Sequence, residues 1–257
     1  MNIVVLGTKG TAVTTTALAL ASAWTTDNVA VIELDSAGGD IASRFDLASA
    51  PGLVTAAASA REPAALFAHT QLLAGNIRVI AAPVLASEAQ GAIVAVSRGL
   101  LPMSQRDATA TFIVDVGRVD PEMLPDATIS ADLAVVCLRQ DPRARGLTVA
   151  HAVHTRRLVE VLANRGVPIV VAVVGSAPFA PSELLAFLGQ QATVALADDP
   201  FGASLLAGHS RSSRLRSKSR LLLSAVPLVQ AVVKRLPASR STALPPPTLA
   251  MRPMVIR

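Results

Sequence analysis

Gly7 and Thr14 stand seven positions apart in "GTKGTAVTTTALALA", residues 7–21. That spacing fits the first glycine and the metal-binding hydroxyl of a phosphate-binding loop, G-x-x-x-x-G-K-[ST]. Such a loop aims backbone N–H groups at an anion from a helix N-terminus, where the helix dipole adds to the attraction. Gly7, Lys9 and Gly10 are the loop positions that would surround a nucleotide, and Thr14 and Thr15 open the helix with hydroxyls for phosphate and Mg²⁺. In this register Ala12 stands at the second glycine and Val13 at the lysine. A shifted register puts Thr14 at the lysine instead, so neither register supplies that charge. Threonines also cap helices without binding anything.

Two acidic motifs follow in order. Glu33 and Asp35 form an acid-x-acid pair at the end of an apolar run, before Gly38 and Gly39 in "VIELDSAGGD". Asp115 ends a second apolar run in "TFIVDVGR". Carboxylates placed this way can hold Mg²⁺ or orient an attacking water. The candidate set is therefore Asp35 and Asp115 for catalysis, with Thr14, Asp35 and Asp115 for Mg²⁺.

These residues need a scaffold that brings loop ends together. Short apolar runs at 2–7, 29–34, 77–83, 110–116, 132–138, 168–174 and 192–197 read as strands. Between most of them lie helical patterns, including 14–25, 86–101, 143–164 and 181–188. Near-continuous apolar strands alternating with helices imply an α/β fold, a mostly parallel sheet with helices on both faces. Ligands of such sheets bind at the C-terminal strand ends, and the three motifs all follow strands. The organisation read from the sequence is a motif-bearing domain over 1–208, a basic hinge and helix over 209–236, and a Pro-rich tail over 237–257 without periodicity.

Charge is divided unevenly. Residues 1–200 carry 13 Lys/Arg against 18 Asp/Glu, whereas 201–257 carry 10 Lys/Arg and no acid. An acidic body beside a basic end implies contact with an anionic surface, nucleic acid or a membrane face. One cysteine, Cys137, excludes a disulfide framework within the chain and fits a reducing compartment. No charged leader precedes the first strand, so a cytoplasmic protein is expected. With 6 Phe, 1 Trp and no Tyr, stacking platforms for single-stranded nucleic acid are not expected. His151 and His154 lack a ligand set around them, and no G-x-S-x-G elbow is present.

On these motifs the chain resembles the MinD/ParA group of deviant-Walker P-loop ATPases over about residues 1–208. "SADLAVVCLRQDP" and "ALADDPFGASLLAG" add to the resemblance, and "TTTALALA", "ELDSAGGDIASRFDL" and "PGLVTAAASAR" resemble a branch with a degraded loop. The resemblance implies ATP and Mg²⁺ as cofactors, a homodimer across the loop face, and a role in positioning pilus or secretion machinery. It also implies a signature lysine, which falls at Thr8 in the first register and at Lys9 in the shifted one. The missing P-loop lysine, Ala12, and "VVGS" at 173–176 where the family commonly has Asn all depart from the pattern. They imply weak or absent nucleotide binding and a pseudo-ATPase. The alternative is an active partition ATPase that binds DNA.

The basic end carries Arg211, Arg214, Arg216, Lys218 and Arg220, then an apolar stripe of Leu221, Leu222, Ala225, Leu228, Val229, Val232, Val233 and Leu236. The stripe is open to three readings: a covering layer on the sheet, a partner contact, or a reversible membrane anchor. Pro227 marks either a kink or the start of a new helix.

Overall fold

The computed structural model describes residues 1–8, 10–73, 75–105, 110–189, 192–206 and 218–237. Lys9, Arg211, Arg214, Arg216 and the tail 238–257 lie outside the described residues.

Eight strands form one sheet in the order β3-β4-β2-β5-β1-β6-β7-β8. In chain order these are β1 (Asn2–Gly7), β2 (Val29–Glu33), β3 (Gln71–Leu73), β4 (Ile77–Ile80), β5 (Thr111–Arg118), β6 (Leu133–Arg139), β7 (Ile169–Val174) and β8 (Ala192–Leu196). All pairings are parallel except β3 with β4, an antiparallel edge of three residues that no apolar run announced. β1 and β2 are buried along their whole length. That is why their sequences are apolar at every position instead of alternating.

Successive residues of β1 feed opposite faces. Ile3 and Val5 pack into one core with α1 (Val13–Ala23) and the C-terminal helix (Arg220–Arg235). Val4 and Leu6 pack into the other, with α3 (Leu53–Ser59), α4 (Ala86–Ala95), α6 (Arg145–Asn164) and α7 (Pro181–Phe187). Two short helices, α2 (Ile41–Arg44) and α5 (Leu101–Ser104), and α8 (Pro200–Leu206) complete the layers. The segment read as one helix over 86–101 is broken by a π turn at Val96–Leu100 between α4 and α5.

The C-terminal helix decides among the three readings of its stripe. Leu221, Leu222, Ala225, Leu228, Val229, Val232 and Leu236 are buried in the core that also holds α1, β7 and β8. The stripe covers its own sheet, which removes the reading in which it inserts into lipid. At about 25 cal/mol per Å² of apolar area, withdrawing these side chains would cost many kcal/mol. Ser219 caps the helix, its hydroxyl accepting from the Leu222 N–H at 3.2 Å. The helix continues through Pro227 on its exposed side, so no new helix starts there. Among the described residues, no helix is long and apolar enough to cross a membrane.

Candidate phosphate-binding site

Because β5 lies between β2 and β1, the two acidic motifs and the glycine-threonine loop meet at the C-terminal ends of these central strands. Asp115 is level with Glu33 on β2 and with Val5 on β1. Chain order reverses at β1, whose neighbours are β5 and β6. Such switch points open a crevice beyond the strand ends.

The loop after β1 closes tightly. The Thr11 hydroxyl donates to the Thr8 carbonyl at 2.8 Å, and the Thr11 N–H reaches the same oxygen at 3.4 Å. Ala12 then takes a left-handed backbone, φ 60° and ψ 39°, and α1 begins at Val13 with no side-chain cap. The Thr16 N–H and hydroxyl both donate to the Ala12 carbonyl, each at 2.9 Å. A left-handed conformation costs a residue with a Cβ about 1–2 kcal/mol. The bend therefore falls on the residue that the first register aligns with the second glycine. Gly10 is also left-handed, at φ 78°, and is exposed. Thr14 and Thr15 are half-buried.

Two side chains occupy space beside Gly7. A Cβ at Gly7 would collide with the Thr11 hydroxyl and press on a Val13 methyl. Val13 is buried in the α1 core. Where a lysine would reach forward over phosphate, the chain presents packed hydrocarbon.

The carboxylates differ sharply. Asp115 is fully buried. Its Oδ1 accepts from the Gly117 N–H at 3.0 Å, while its Oδ2 is buried with no hydrogen-bond partner. Burial pushes its pKa up to about 7; the Thr14 hydroxyl opposes the rise without closing a bond of regular geometry, and the Glu33 and Asp35 charges add to it. Asp35 is half-buried, accepts from the Ala37 N–H at 2.8 Å, and is also raised, chiefly by burial. Gly117 joins the two acids. It is left-handed at φ 66°, and a Cβ there would run into the Asp35 carboxylate.

Glu33 has a different task from the one its position suggested. Its carboxylate accepts backbone N–H bonds from Asp40 at 2.7 Å, Ile41 at 3.0 Å and Ala82 at 2.9 Å. It brackets the loop after β2 to the end of β4, and both oxygens are committed. Gly38 and Gly39 serve the same junction, since a Cβ on either would meet the Val84 or Ala82 carbonyl. Among the described residues, no three His, Cys, Asp or Glu side chains gather closely enough to hold a metal.

The fit of the implied cofactors is therefore split. The Asp115 Oδ2, with the Thr14 hydroxyl and Asp35 nearby, is an all-oxygen set of the kind a hard cation takes. On the phosphate side the lysine is absent: Val13, buried, stands where the first register puts it.

Other candidates resolve simply. Cys137 is buried mid-strand, and burial pushes its thiol up to about 12, so it is packing material. His151 is buried with Nδ1 3.2 Å from the Arg139 carbonyl, while His154 is exposed. Three working residues were not singled out individually from the sequence. Gln140 clamps the loop after β7 through both the N–H and the carbonyl of Phe179, at 2.9 and 3.3 Å. Thr11 pins its own loop through the Thr8 carbonyl. Asp199 accepts from the N–H of Gly202 at 2.9 Å, the N–H of Leu221 at 3.2 Å and the Ser219 hydroxyl at 3.2 Å, tying α8 to the C-terminal helix.

No protein-family model matches the sequence, and neither does any curated protein. Solved structures do match. The septum site-determining protein MinD of Pyrococcus horikoshii OT3, complexed with Mg-ADP, superposes with a TM-score of 0.65 at 14% identity, covering 90% of this chain and 94% of that one. The fold is that of the MinD/ParA ATPases. A ParA family ATPase from Chlorobium tepidum TLS gives a TM-score of 0.65 at 12% identity, over 89% of this chain and 98% of that one. Apo McdA from Cyanothece gives 0.63 at 17%, over 90% and 98%. The α/β reading, the mostly parallel sheet and the P-loop architecture all stand. At such identities the likeness is one of fold.

Proposed function

We propose that this MinD/ParA-like chain is a scaffold with a decayed nucleotide site, which positions or regulates a membrane-associated machine of the pilus or secretion type. The observation that carries the reading is the loop itself. Val13 is buried where the lysine belongs, and Thr11 is folded against Gly7. Loss of one charged hydrogen bond to phosphate costs roughly 1.5–3 kcal/mol, or one to two decades in affinity. On this account ATP and Mg²⁺ bind weakly or not at all through Gly7, Lys9, Gly10, Thr14 and Thr15. Self-association across the loop face is then insensitive to nucleotide. The basic residues Arg211, Arg214, Arg216, Lys218 and Arg220 supply attraction to an anionic surface, with no apolar stripe left to insert.

A second reading is an active partition-type ATPase that binds DNA. It is favoured by one feature, the unpartnered Asp115 Oδ2 beside Thr14. Turnover with Mg²⁺ and ATP separates the two. The scaffold reading expects the parent to hydrolyse ATP no faster than Asp35→Asn or Asp115→Asn. Hydrolysis that both substitutions abolish establishes the second reading.

A further inference from the structure

One solvent-facing helix surface has a chemistry that its own fold does not use. α4 runs on through the π turn at Val96–Leu100 into α5, so Ala86 to Ser104 is one helical rod. Ala89, Ala92, Val96 and Leu100 bury its inner side against the sheet. On its outer side Ser87, Gly91 and Ala95 recur every fourth residue and are all exposed, so they share one face. Val94 beside them is 41% exposed; at the two ends Val84 is 56%, Leu85 58% and Met103 43% exposed. Scattered apolar side chains at a surface are ordinary, whereas a contiguous set marks an interaction site.

Two glycines on this rod have no task within their own chain. A Cβ at Gly91 or at Gly99 would meet nothing within 4 Å. Neither has a left-handed backbone. Glycine inside a helix destabilises it relative to alanine. What it provides here is room for a second backbone.

The charges select the occupant. Glu88 is exposed and forms no ion pair among the described residues. Arg98 gives its Nε–H to Asp126 at 2.6 Å, yet its side chain stays 69% exposed. Glu88 stands three residues before Gly91, and Arg98 three residues after Ala95. The face therefore reads alike from both ends, with the sign of the charge exchanged. A two-fold contact requires this self-complementarity. With two copies antiparallel about an axis between Gly91 and Ala95, each Gly91 meets the other copy's Ala95. Each Glu88 then meets an Arg98, and the Val84–Leu85 end meets Pro102 and Met103. Parallel packing would instead set Glu88 on Glu88 and Arg98 on Arg98.

We propose that the outer face of α4 and its π turn is a self-association surface, on which a second copy of the chain packs antiparallel, Glu88 to Arg98. The small residues bring the two helix axes to about 8 Å, the close end of helix packing. This surface does not rest on the nucleotide reading. α4 lies on the sheet face opposite α1, and none of these residues belongs to the loop.

Analytical ultracentrifugation of the full chain over the micromolar range tests it. The parent should associate as concentration rises. Gly91→Gln, which meets open space in a single copy, should abolish this contact without lowering the melting temperature. Glu88→Arg and Arg98→Glu, each alone, set like charges together twice per dimer and should weaken association by roughly tenfold or more. In an equimolar mixture of those two variants every contact again joins opposite charges, and association should return to the parent's strength. Circular dichroism checks that each variant is folded. Association through the loop face as well gives species larger than a dimer, which Gly91→Gln cuts to dimers. A parent that stays monomeric overturns the proposal, as does a mixture that associates no more tightly than its components. Association that all three variants leave unchanged also overturns it, and leaves the loop-face contact of the proposed function standing.

Discussion

Ala12→Gly should stabilise this protein, although glycine inside a helix ordinarily does the reverse. Ala12 is held at φ 60° and ψ 39° by the Thr16 N–H and hydroxyl on its carbonyl. The Cβ in that conformation costs about 1–2 kcal/mol. Glycine removes the cost but adds about 0.4–1 kcal/mol of unfolded-state entropy. The difference runs from about zero to about 1.6 kcal/mol in favour of glycine, centred near about 0.8 kcal/mol. For a chain of this size such a gain raises the melting temperature by about 1–4 °C. Differential scanning calorimetry, with urea denaturation as a second measure, reads it. If Ala12 had ordinary helical backbone, the substitution would lower stability by about 0.5–1 kcal/mol. The two cases differ in sign, so a fall in melting temperature refutes the left-handed bend and the loop register built on it.

Three further outcomes follow from the same geometry. Gly117→Ala should cost more than the bare left-handed penalty of about 1–2 kcal/mol, because its Cβ also displaces Asp35; a melting point unchanged from the parent would remove Gly117 as the link between the acids. Asp115 has a folded pKa raised to about 7 from 3.8, so its contribution favours folding below the unfolded value and is lost as pH rises through the folded one. Asp115→Asn should therefore melt higher than the parent at pH 8 and about equally at pH 4, and a pH-independent difference counts against a buried carboxylate with a raised pKa. Leu228→Asp should unfold the C-terminal layer, whereas Arg-to-Glu changes at Arg211, Arg214, Arg216 and Arg220 should abolish vesicle flotation. Flotation that survives the charge reversal would place the anionic-surface contact elsewhere.

Much of the scaffold was legible because burial on both faces writes itself into the sequence. The runs that became β1, β2, β5, β6 and β7 are apolar at consecutive positions, and the motifs fall at their ends. What spacing could not convey was how polar side chains spend their bonds. Glu33 matched a metal-binding or water-orienting acid in position, yet its oxygens are taken by three backbone N–H groups from distant turns. Periodicity found the apolar stripe of the C-terminal helix but not its cover. Asp199, which ties that helix to α8, lies in a segment that the sequence offered only as a family likeness. β3 was missed because three residues of an antiparallel edge carry too short a pattern to stand out.

The central claim is that the loop has kept its bend and lost its hold on phosphate. Equilibrium dialysis of radiolabelled ATP with Mg²⁺ tests it most directly, on the parent and on Ala12→Gly with Val13→Lys. The account predicts no saturable binding by the parent at millimolar ATP, and binding tightened by about one to two decades in the double variant, the worth of one restored charged hydrogen bond. Saturable binding by the parent in the micromolar range, lost in Asp115→Asn, would contradict it.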